Sequence, residues 1–379
     1  MRSTAPPSRQ NNSEPALPIE FDQPRWDTIR ADARAWWAGE LDRPLMQARL
    51  TGLDPGRPEP DLPQDEYASR YDPSVSPERI VERWEYDLCR TRFLGDAFPT
   101  VKPFFGAGAA AAFLGANIHN TEHTSWFVPK EVRAIADLDL PYLPDDPWLR
   151  RAREVTGAAI DHFRGSVQVA MVDLGGTLDV LSSFRPSNLL LTDLYDSPED
   201  VIRLNWQIHE GWFRLFDEFN EILQPVNPAY TAWTPLFSEV PYYMFQCDFC
   251  YMIGPEHFER FVKPEIAAAC GRVPHAFYHL DGSGQLPHLD SLLEIDELTG
   301  IQWVPGGGVP EEDTWPEVYR KIRDAGKLVQ IGVEPGVSAQ AFARIVDQLG
   351  DATGLAWIYW GDISEEDTIM PVLEKFGAA

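Results

Sequence analysis

The chain of 379 residues carries a formal net charge of −27, from 59 acidic against 32 basic residues. Such a charge repels polyanions, so neither nucleic acid nor an anionic membrane surface is an expected partner. Four cysteines in a chain of this length do not form a disulfide framework, which indicates a reducing compartment, and we expect a cytoplasmic protein. The sequence also contains no stretch typical of a transmembrane helix.

The N-terminal segment differs in composition from the rest of the chain. Residues 1–19 are rich in Pro, Ser and Asn and are predicted to form a disordered tail. Because the whole sequence is 44% hydrophobic, the remaining residues can bury a large core without disulfides or a structural metal. We therefore predict one domain over residues 20–379.

Helical and strand patterns alternate along that domain. Apolar spacing predicts helices at residues 25–40, 76–95, 197–223, 254–270, 314–326 and 338–350. Short apolar runs predict eight strands, at residues 43–50, 97–106, 166–176, 229–237, 275–282, 300–306, 327–335 and 354–362. This alternation is typical of a parallel sheet that can close, so the predicted fold is α/β, a (β/α)8 TIM-type barrel. A doubly wound open sheet is the alternative.

Polar residues recur where the predicted strands end, which is the face on which such barrels carry their active sites. The candidates are catalytic residues Asp173, Asp248, Asp281 and Tyr359, substrate-binding residues Gln302, Trp303, Trp360 and Arg185, and metal ligands His279, Asp281 and Glu334. A histidine and carboxylates that converge on one cavity can transfer protons or hold a divalent metal such as zinc.

His279 and Asp281 are the best-supported pair among these candidates. Residues i and i+2 of a strand point to the same face, so both side chains can reach one cavity. The other interpretation is that Asp281 caps the following turn while His279 is satisfied in the core. Cys247 and Cys250 form a CxxC without a second such motif, so a full cysteine zinc site is not predicted, although one thiol could join His279.

Several longer segments resemble a known family. These are FPTVKPFFGAGAAAAFLGA (98–116), VDLGGTLDVLSSFR (172–185) followed by LLLTDLYDSPEDV (189–201), QCDFCYMIGPEHFERFVKP (246–264) and YHLDGSG (278–284). Over about residues 26–375 the chain is similar to the uroporphyrinogen decarboxylase superfamily, which includes corrinoid-dependent methyltransferases. The resemblance implies the barrel fold, and by analogy with the decarboxylases it implies a homodimer.

Two departures from the family pattern bear on the activity. The first strand reads LMQARLTG where the decarboxylases carry an arginine-rich segment, and the H-x-C of the methyltransferases reads His279-Leu280-Asp281. The resemblance thus implies a divergent member, with demethylation of a small methylated substrate and a separate corrinoid protein as partner. The alternatives are a corrinoid-independent lyase, decarboxylase or hydrolase that uses the carboxylates and His279, and a binding protein without catalysis.

Overall fold

The computed structural model describes residue 19 and residues 21–307, 311–332 and 336–379. The predicted tail lies outside these ranges except for residue 19. Glu334, one of the predicted metal ligands, also lies outside the described residues. Within the described ranges, every helix is too short or too polar to cross a lipid bilayer.

Most of the strands belong to one sheet. The described strands are β1 Leu45–Thr51, β2 Thr91–Gly95, β3 Thr100–Val101, β4 Asn117–Asn120, β5 Ser125–Val128, β6 Gln168–Val169, β7 Tyr242–Gln246, β8 His275–Asp281, β9 Leu298–Val304, β10 Leu328–Ile331 and β11 Leu355–Asp362. The sheet has the order β2-β1-β11-β10-β9-β8-β7. Its neighbouring strands are parallel except for β1 and β2, which are antiparallel.

The described part of the sheet is open, with β2 and β7 at its edges. Strands β3 and β6 form a separate parallel pair, and β4 and β5 form an antiparallel hairpin. The α/β class with a parallel sheet is therefore confirmed. A closed (β/α)8 barrel is not confirmed, because no hydrogen-bonded ladder among the described strands joins the two edges.

Five predicted strands are confirmed, as β1, β8, β9, β10 and β11, the last residues predicted for β10 being outside the described ranges. The predicted strands at 97–106 and 166–176 are regular over two residues each, in β3 and β6. The strand predicted at 229–237 is wrong, since that segment makes only an isolated antiparallel bridge between Tyr230 and Ser238. Pro235 has no N–H for a ladder, and the Thr231 hydroxyl donates to the Thr234 carbonyl at 3.2 Å, which folds the segment on itself. The strands of the main sheet that the sequence analysis missed are β2 and β7.

Helices pack against the strands of the sheet. They are α1 Gln23–Trp37, α2 Pro77–Cys89, α3 Ala110–Phe113, α4 Pro147–Phe163, α5 Thr177–Phe184, α6 Ser187–Asp196, α7 Pro198–Leu223, α8 Pro255–Phe261, α9 Lys263–Cys270, α10 Leu289–Leu293, α11 Pro316–Asp324, α12 Ala339–Leu349 and α13 Glu366–Lys375. The predicted helices are confirmed with two differences. The one at 76–95 ends with α2, because its last residues form β2 Thr91–Gly95, and the one at 254–270 divides into α8 and α9 at Val262.

Helix α1 lies at the end of the sheet where β8 and β11 begin. The Trp36 indole N–H donates to the carbonyl of Leu355, the first residue of β11, at 3.1 Å. Trp37 stacks on His275, the first residue of β8, with 4.0 Å between ring centroids. Because the strands are parallel, their C-terminal ends lie together at the other end of the sheet, and this is where the candidate site lies.

Candidate functional site

A row of polar side chains crosses four adjacent strands near their C-terminal ends. His279 on β8 is paired in register with Gln246 on β7 and with Gln302 on β9, and Gln302 is paired with Gln330 on β10. All four residues are buried. Buried amides and an imidazole in a core of this size require specific partners, so the row marks a place where packing alone does not explain the residue types.

A cluster of potential metal ligands lies just beyond this row. Asp281 ends β8, and Asp248 begins a short 3-10 helix directly after β7. One nitrogen of His279 and one carboxylate oxygen from each aspartate lie within 4.8 Å of one another. His279 Nε2 is 3.7 Å from Asp281 Oδ2, close to the separation of about 3.4 Å between two ligand atoms of a tetrahedral zinc site.

Gln302 fixes the orientation of the His279 ring. The Gln302 amide nitrogen donates to the Gly332 carbonyl at 3.0 Å, so the amide oxygen faces His279 and accepts from its Nδ1–H. In the neutral imidazole the lone pair is then on Nε2, which faces the two aspartates. A histidine held in this way has the tautomer that a metal ligand requires, so the donor set fits a divalent cation such as zinc.

The two aspartates also control the charge of His279. Burial alone would lower the pKa of the imidazole, but the nearby carboxylate of Asp281 and the charge of Asp248 outweigh it, and the pKa is raised. His279 therefore keeps its proton to a higher pH than a free imidazole in the absence of a cation. A bound cation has to displace that proton.

Asp179 positions the loop that carries Asp248. Its carboxylate oxygens accept from the backbone N–H groups of Asp248, at 3.0 Å, and of Phe249, at 2.8 Å. Burial and the neighbouring charge of Asp248 raise the pKa of Asp179. A side chain on Gly176 would place its Cβ 2.1 Å from the carbonyl oxygen of Gln246, so glycine is required for α5 to begin this close to the end of β7.

Asp173 is a buried carboxyl group that follows β6. It accepts from the backbone N–H of Gly175 at 3.0 Å and from that of Gly108 at 3.4 Å. Burial, only partly offset by Lys102 and by these two hydrogen bonds, raises the pKa of Asp173 to about 6. At neutral pH this group keeps a small protonated fraction, so it can exchange a proton with a ligand.

One cavity of about 320 Å³ joins these groups. Asp173, Asp248, His279 and Asp281 line it, and the other lining residues are Glu66, Lys102, Phe104, Ala107, Trp233, Thr234, Gln246, Gln302, Val304, Gln330 and Trp360. The Trp233 ring stands perpendicular to the His279 ring, with 5.1 Å between centroids. The cavity has the size of a small-molecule site, with an apolar wall and ionisable groups at one end.

The predicted residues divide into two groups. The structure brings Asp173, Asp248, His279, Asp281, Gln302 and Trp360 to this cavity. Trp303 does not belong to it, because strand alternation turns its ring to the other face of β9, where it packs on Trp315 with 5.4 Å between centroids. Tyr359 likewise lies on the other face of β11 from Trp360, and its hydroxyl donates to Glu365 at 2.5 Å.

Arg185 is the third predicted residue that does not line the cavity. It follows α5, and its guanidinium forms a two-point ion pair with Asp193, with distances of 2.5 and 3.1 Å. It also donates to the backbone carbonyl of Arg133 at 2.9 Å. Its guanidinium connects Asp193 of α6 to the segment that contains Arg133, so Arg185 is a structural residue in this fold.

Neither cysteine of the CxxC belongs to the group of potential metal ligands found among the described residues. Cys247 and Cys250 are buried, and burial raises the pKa of both thiols. The Tyr278 hydroxyl is 4.0 Å from the Cys250 sulfur. A thiol of this kind is a poor ligand and a poor nucleophile, because both roles need the thiolate.

The sequence analysis missed several residues of the cavity. Gln246 and Gln330 flank the candidate cluster, and Lys102 and Trp233 reach it from segments outside the main sheet. Gln330 lines the cavity, and among the described residues its buried amide oxygen has no hydrogen-bond partner, so this oxygen can accept from a molecule in the cavity. The sequence did offer one signal for these residues, because a glutamine occupies an inward position in each of the predicted strands 300–306 and 327–335.

Comparison with known proteins yields a likeness in structure. No model of a known protein family matches the sequence, and no curated protein matches it. Among solved structures, the fold is similar to that of a methyltransferase from Methanosarcina mazei, with a TM-score of 0.60 and 12% sequence identity. The match covers 92% of this chain and 99% of the other. At this identity the likeness shows a methyltransferase-like fold, and the chemistry has to be argued from the site.

Proposed function

We propose that this chain is a methyltransferase that removes a methyl group from a small substrate, with Asp248, His279 and Asp281 holding a divalent metal, zinc in the first instance. The observation that carries the proposal is the convergence of these three ligand atoms within 4.8 Å in a cavity at the C-terminal ends of parallel strands. The similarity to a methyltransferase over almost the whole chain supports it.

The cation would act as a Lewis acid toward the atom X that carries the methyl group. Asp248 and Asp281 supply negative charge, and Gln302 keeps the His279 lone pair directed at the same point. In the proposed transfer the bond between carbon and X would break with both electrons on X, and a Co(I) corrinoid carried by a separate protein would supply the electron pair for the new bond to the methyl carbon. X then takes a proton, and Asp173, whose pKa is about 6, is the group we assign to deliver it.

An apolar groove beside the cavity supports a macromolecular partner. It has a volume of about 590 Å³ and shares Gln246 and Asp248 with the catalytic cavity. Its lining includes Trp126 and Met252, which are 60% and 48% exposed. Large exposed apolar side chains at one cavity mouth are typical of interaction surfaces. We assign this groove to the corrinoid protein, and a homodimer stays a prediction.

The barrel also remains part of the proposal. Ala170, after β6, donates to the carbonyl of Val101 at 2.8 Å, and Met171 donates to that of Thr231 at 2.9 Å. The Gln47 amide on β1 donates to the Pro235 carbonyl at 2.7 Å. These contacts connect the β3 and β6 pair to the segment before β7 and that segment to β1, and they support the proposal that irregular backbone completes a barrel there.

The oxygen-rich ligand set favours a second candidate. One imidazole and two carboxylates form a harder donor set than a histidine with two thiolates, and such sets also activate water for hydrolysis. The second candidate is therefore a corrinoid-independent hydrolase, lyase or decarboxylase that uses the same residues.

Metal content is the first test. Elemental mass spectrometry of the purified wild type and of His279→Ala is expected to find near-stoichiometric metal in the first and little in the second. His275→Ala is the matched control, because His275 lies on the same strand at its opposite end and should not affect the metal. Wild-type protein that stays without metal after incubation with Zn²⁺ would overturn the ligand assignment.

Methyl transfer is tested with free cob(I)alamin in place of the corrinoid protein. Methylamines, methanol, methanethiol and methoxybenzoates are offered as donors, and formation of methylcobalamin is followed by absorbance. We expect formation with one donor class by the wild type and loss of it in His279→Ala. Consumption of a substrate without cobalamin would identify the second candidate instead.

A further inference from the structure

A side cavity opens from the catalytic cavity and is not used by the proposed chemistry. It has a volume of about 270 Å³ and shares four lining residues with the catalytic cavity, Glu66, Lys102, Trp233 and Trp360. The two cavities therefore meet at a junction whose walls include Trp233, Trp360 and Lys102. A single elongated ligand can occupy both.

Arg49 lies in the wall of the side cavity. It is only 7% exposed, and its guanidinium carbon is 5.6 Å from the ring centroid of Phe98 and 5.6 Å from that of Trp360. Contact with two aromatic rings restricts the guanidinium and lowers the entropy lost when it binds a ligand. A buried, restricted arginine at a cavity wall is a strong recognition group for a carboxylate, a sulfonate or a phosphate.

Lys102 adds a second positive charge where the two cavities meet. Its ammonium nitrogen is 4.2 Å from the Phe104 ring centroid and 3.4 Å from a carboxylate oxygen of Glu66. Glu66 is 57% exposed in its side chain, so its charge is screened by solvent, whereas the lysine is 23% exposed. Lys102 lines both cavities, whereas Arg49 lines the side cavity and not the other one.

The other acidic residues of the side cavity are held by arginines outside its lining. Asp65 lies 3.3 Å from Arg70, and Asp87 lies 2.5 Å from Arg83. Arg83 is shared by Asp87 and Glu59, so these ion pairs offset part of the charge of the two carboxylates. Arg49 and Lys102 are the basic side chains in the described lining of the side cavity, so an anion bound there would contact them.

We propose that the substrate carries an anionic group, a carboxylate, sulfonate or phosphate, which binds Arg49 and Lys102 in the side cavity while its reacting end lies at Asp248, His279 and Asp281. Trp233 and Trp360 cover the apolar link between the two ends. The position of the reacting end rests on the proposed function, but the anion subsite itself requires neither a metal nor methyl transfer.

Calorimetric titration of the wild type with butyrate, propane-1-sulfonate and inorganic phosphate tests the subsite, and butyramide is the neutral counterpart of butyrate. We expect at least one anion to bind with a dissociation constant of about 1 mM or tighter. Butyramide should bind about tenfold more weakly than butyrate or worse. Absence of binding for all three anions, or equal binding of butyrate and butyramide, overturns the proposal.

Variants then place the binding. Arg49→Met should weaken anion binding about tenfold or more, and Arg49→Lys should recover only part of it, because lysine keeps the charge without the planar two-point geometry. Lys102→Met should show a smaller loss. Arg203→Met, at a surface arginine that is 44% exposed, is the matched control and should bind as the wild type does.

His279→Ala separates this inference from the proposed function. It should abolish metal binding and turnover while the anion affinity stays within about twofold of the wild type. If Arg49→Met does not fold, as judged by circular dichroism, the anion subsite is tested by Lys102→Met and by the comparison of butyrate with butyramide. Anion affinity that is equal in Arg203→Met, Lys102→Met and any folded Arg49 variant would refute the assignment to this cavity.

Discussion

Replacement of Gln302 by leucine removes the group that orients His279 without touching the three ligand atoms. In the wild type, the amide oxygen of Gln302 accepts from His279 Nδ1–H, and its amide nitrogen is held by the Gly332 carbonyl at 3.0 Å. Leucine has nearly the same volume and cannot accept that proton. The imidazole is then free to rotate or to change its tautomer, and a buried N–H loses its partner.

The expected cost follows from what such outer partners contribute. Loss of a hydrogen bond to a metal-ligating histidine weakens metal binding by about 10-fold to 100-fold, which corresponds to about 1.4 to 2.8 kcal/mol. His279→Ala should cost more, because it removes one of three ligands. Gln302→Leu should therefore bind Zn²⁺ with an intermediate affinity and still fold.

Competition with a chromophoric zinc chelator measures the affinity, and circular dichroism checks the fold. Gln330→Leu is the matched control, since Gln330 is buried at the position paired with Gln302 on the next strand. It should leave the zinc affinity unchanged. Equal zinc affinities for the wild type and a folded Gln302→Leu, or equal losses in the two leucine variants, would refute the role given to Gln302.

Three further predictions concern protonation and backbone space. The affinity for Zn²⁺ should rise with pH by up to about tenfold per unit below the raised pKa of His279, as measured by the same chelator competition, because the proton has to leave first. The pKa of Asp173 is raised from 3.8 to about 6, so the folded state binds more protons than the unfolded state in that window and loses stability as the pH rises through it. Asp173→Asn lacks this loss, and urea titrations should show its advantage over the wild type growing by roughly 2 kcal/mol between pH 4 and 7, whereas parallel curves would contradict the burial of the charge. Gly175→Ala should lower the urea midpoint strongly, because φ is +73° and the new Cβ would lie 2.4 Å from the Gly108 Cα. Gly157→Ala is the control: Gly157 lies in α4 with open space around it, so the free energy of unfolding should rise by about 0.5 to 1 kcal/mol.

The sequence by itself determined the elements that depend on local pattern. Apolar runs with glycine stops predicted β1 and β8 to β11, and helical spacing predicted α7 over its full length. The i, i+2 spacing predicted that His279 and Asp281 share a face, because the side-chain period of a strand is fixed at two residues. Both side chains line the same cavity in the structure.

Only the tertiary structure decided which face of each strand the cavity occupies. Trp303 and Tyr359 were predicted beside Gln302 and Trp360, but adjacent strand residues point to opposite faces, and the register with neighbouring strands selects one of them. Segment 229–237 reads locally as a strand, and its internal bonds and Pro235 make it irregular.

Cavity residues that come from distant parts of the chain could also not be predicted from the sequence. Lys102 follows β3 and Arg49 lies on β1, yet both reach the walls of cavities beside Trp360 on β11. Strand period and turn chemistry act over a few residues, whereas a cavity is enclosed by contacts between segments hundreds of residues apart. The pair of His279 and Asp281 could therefore be predicted from local pattern, whereas the side cavity lined by Arg49 and Lys102 could be recognised only in the folded chain.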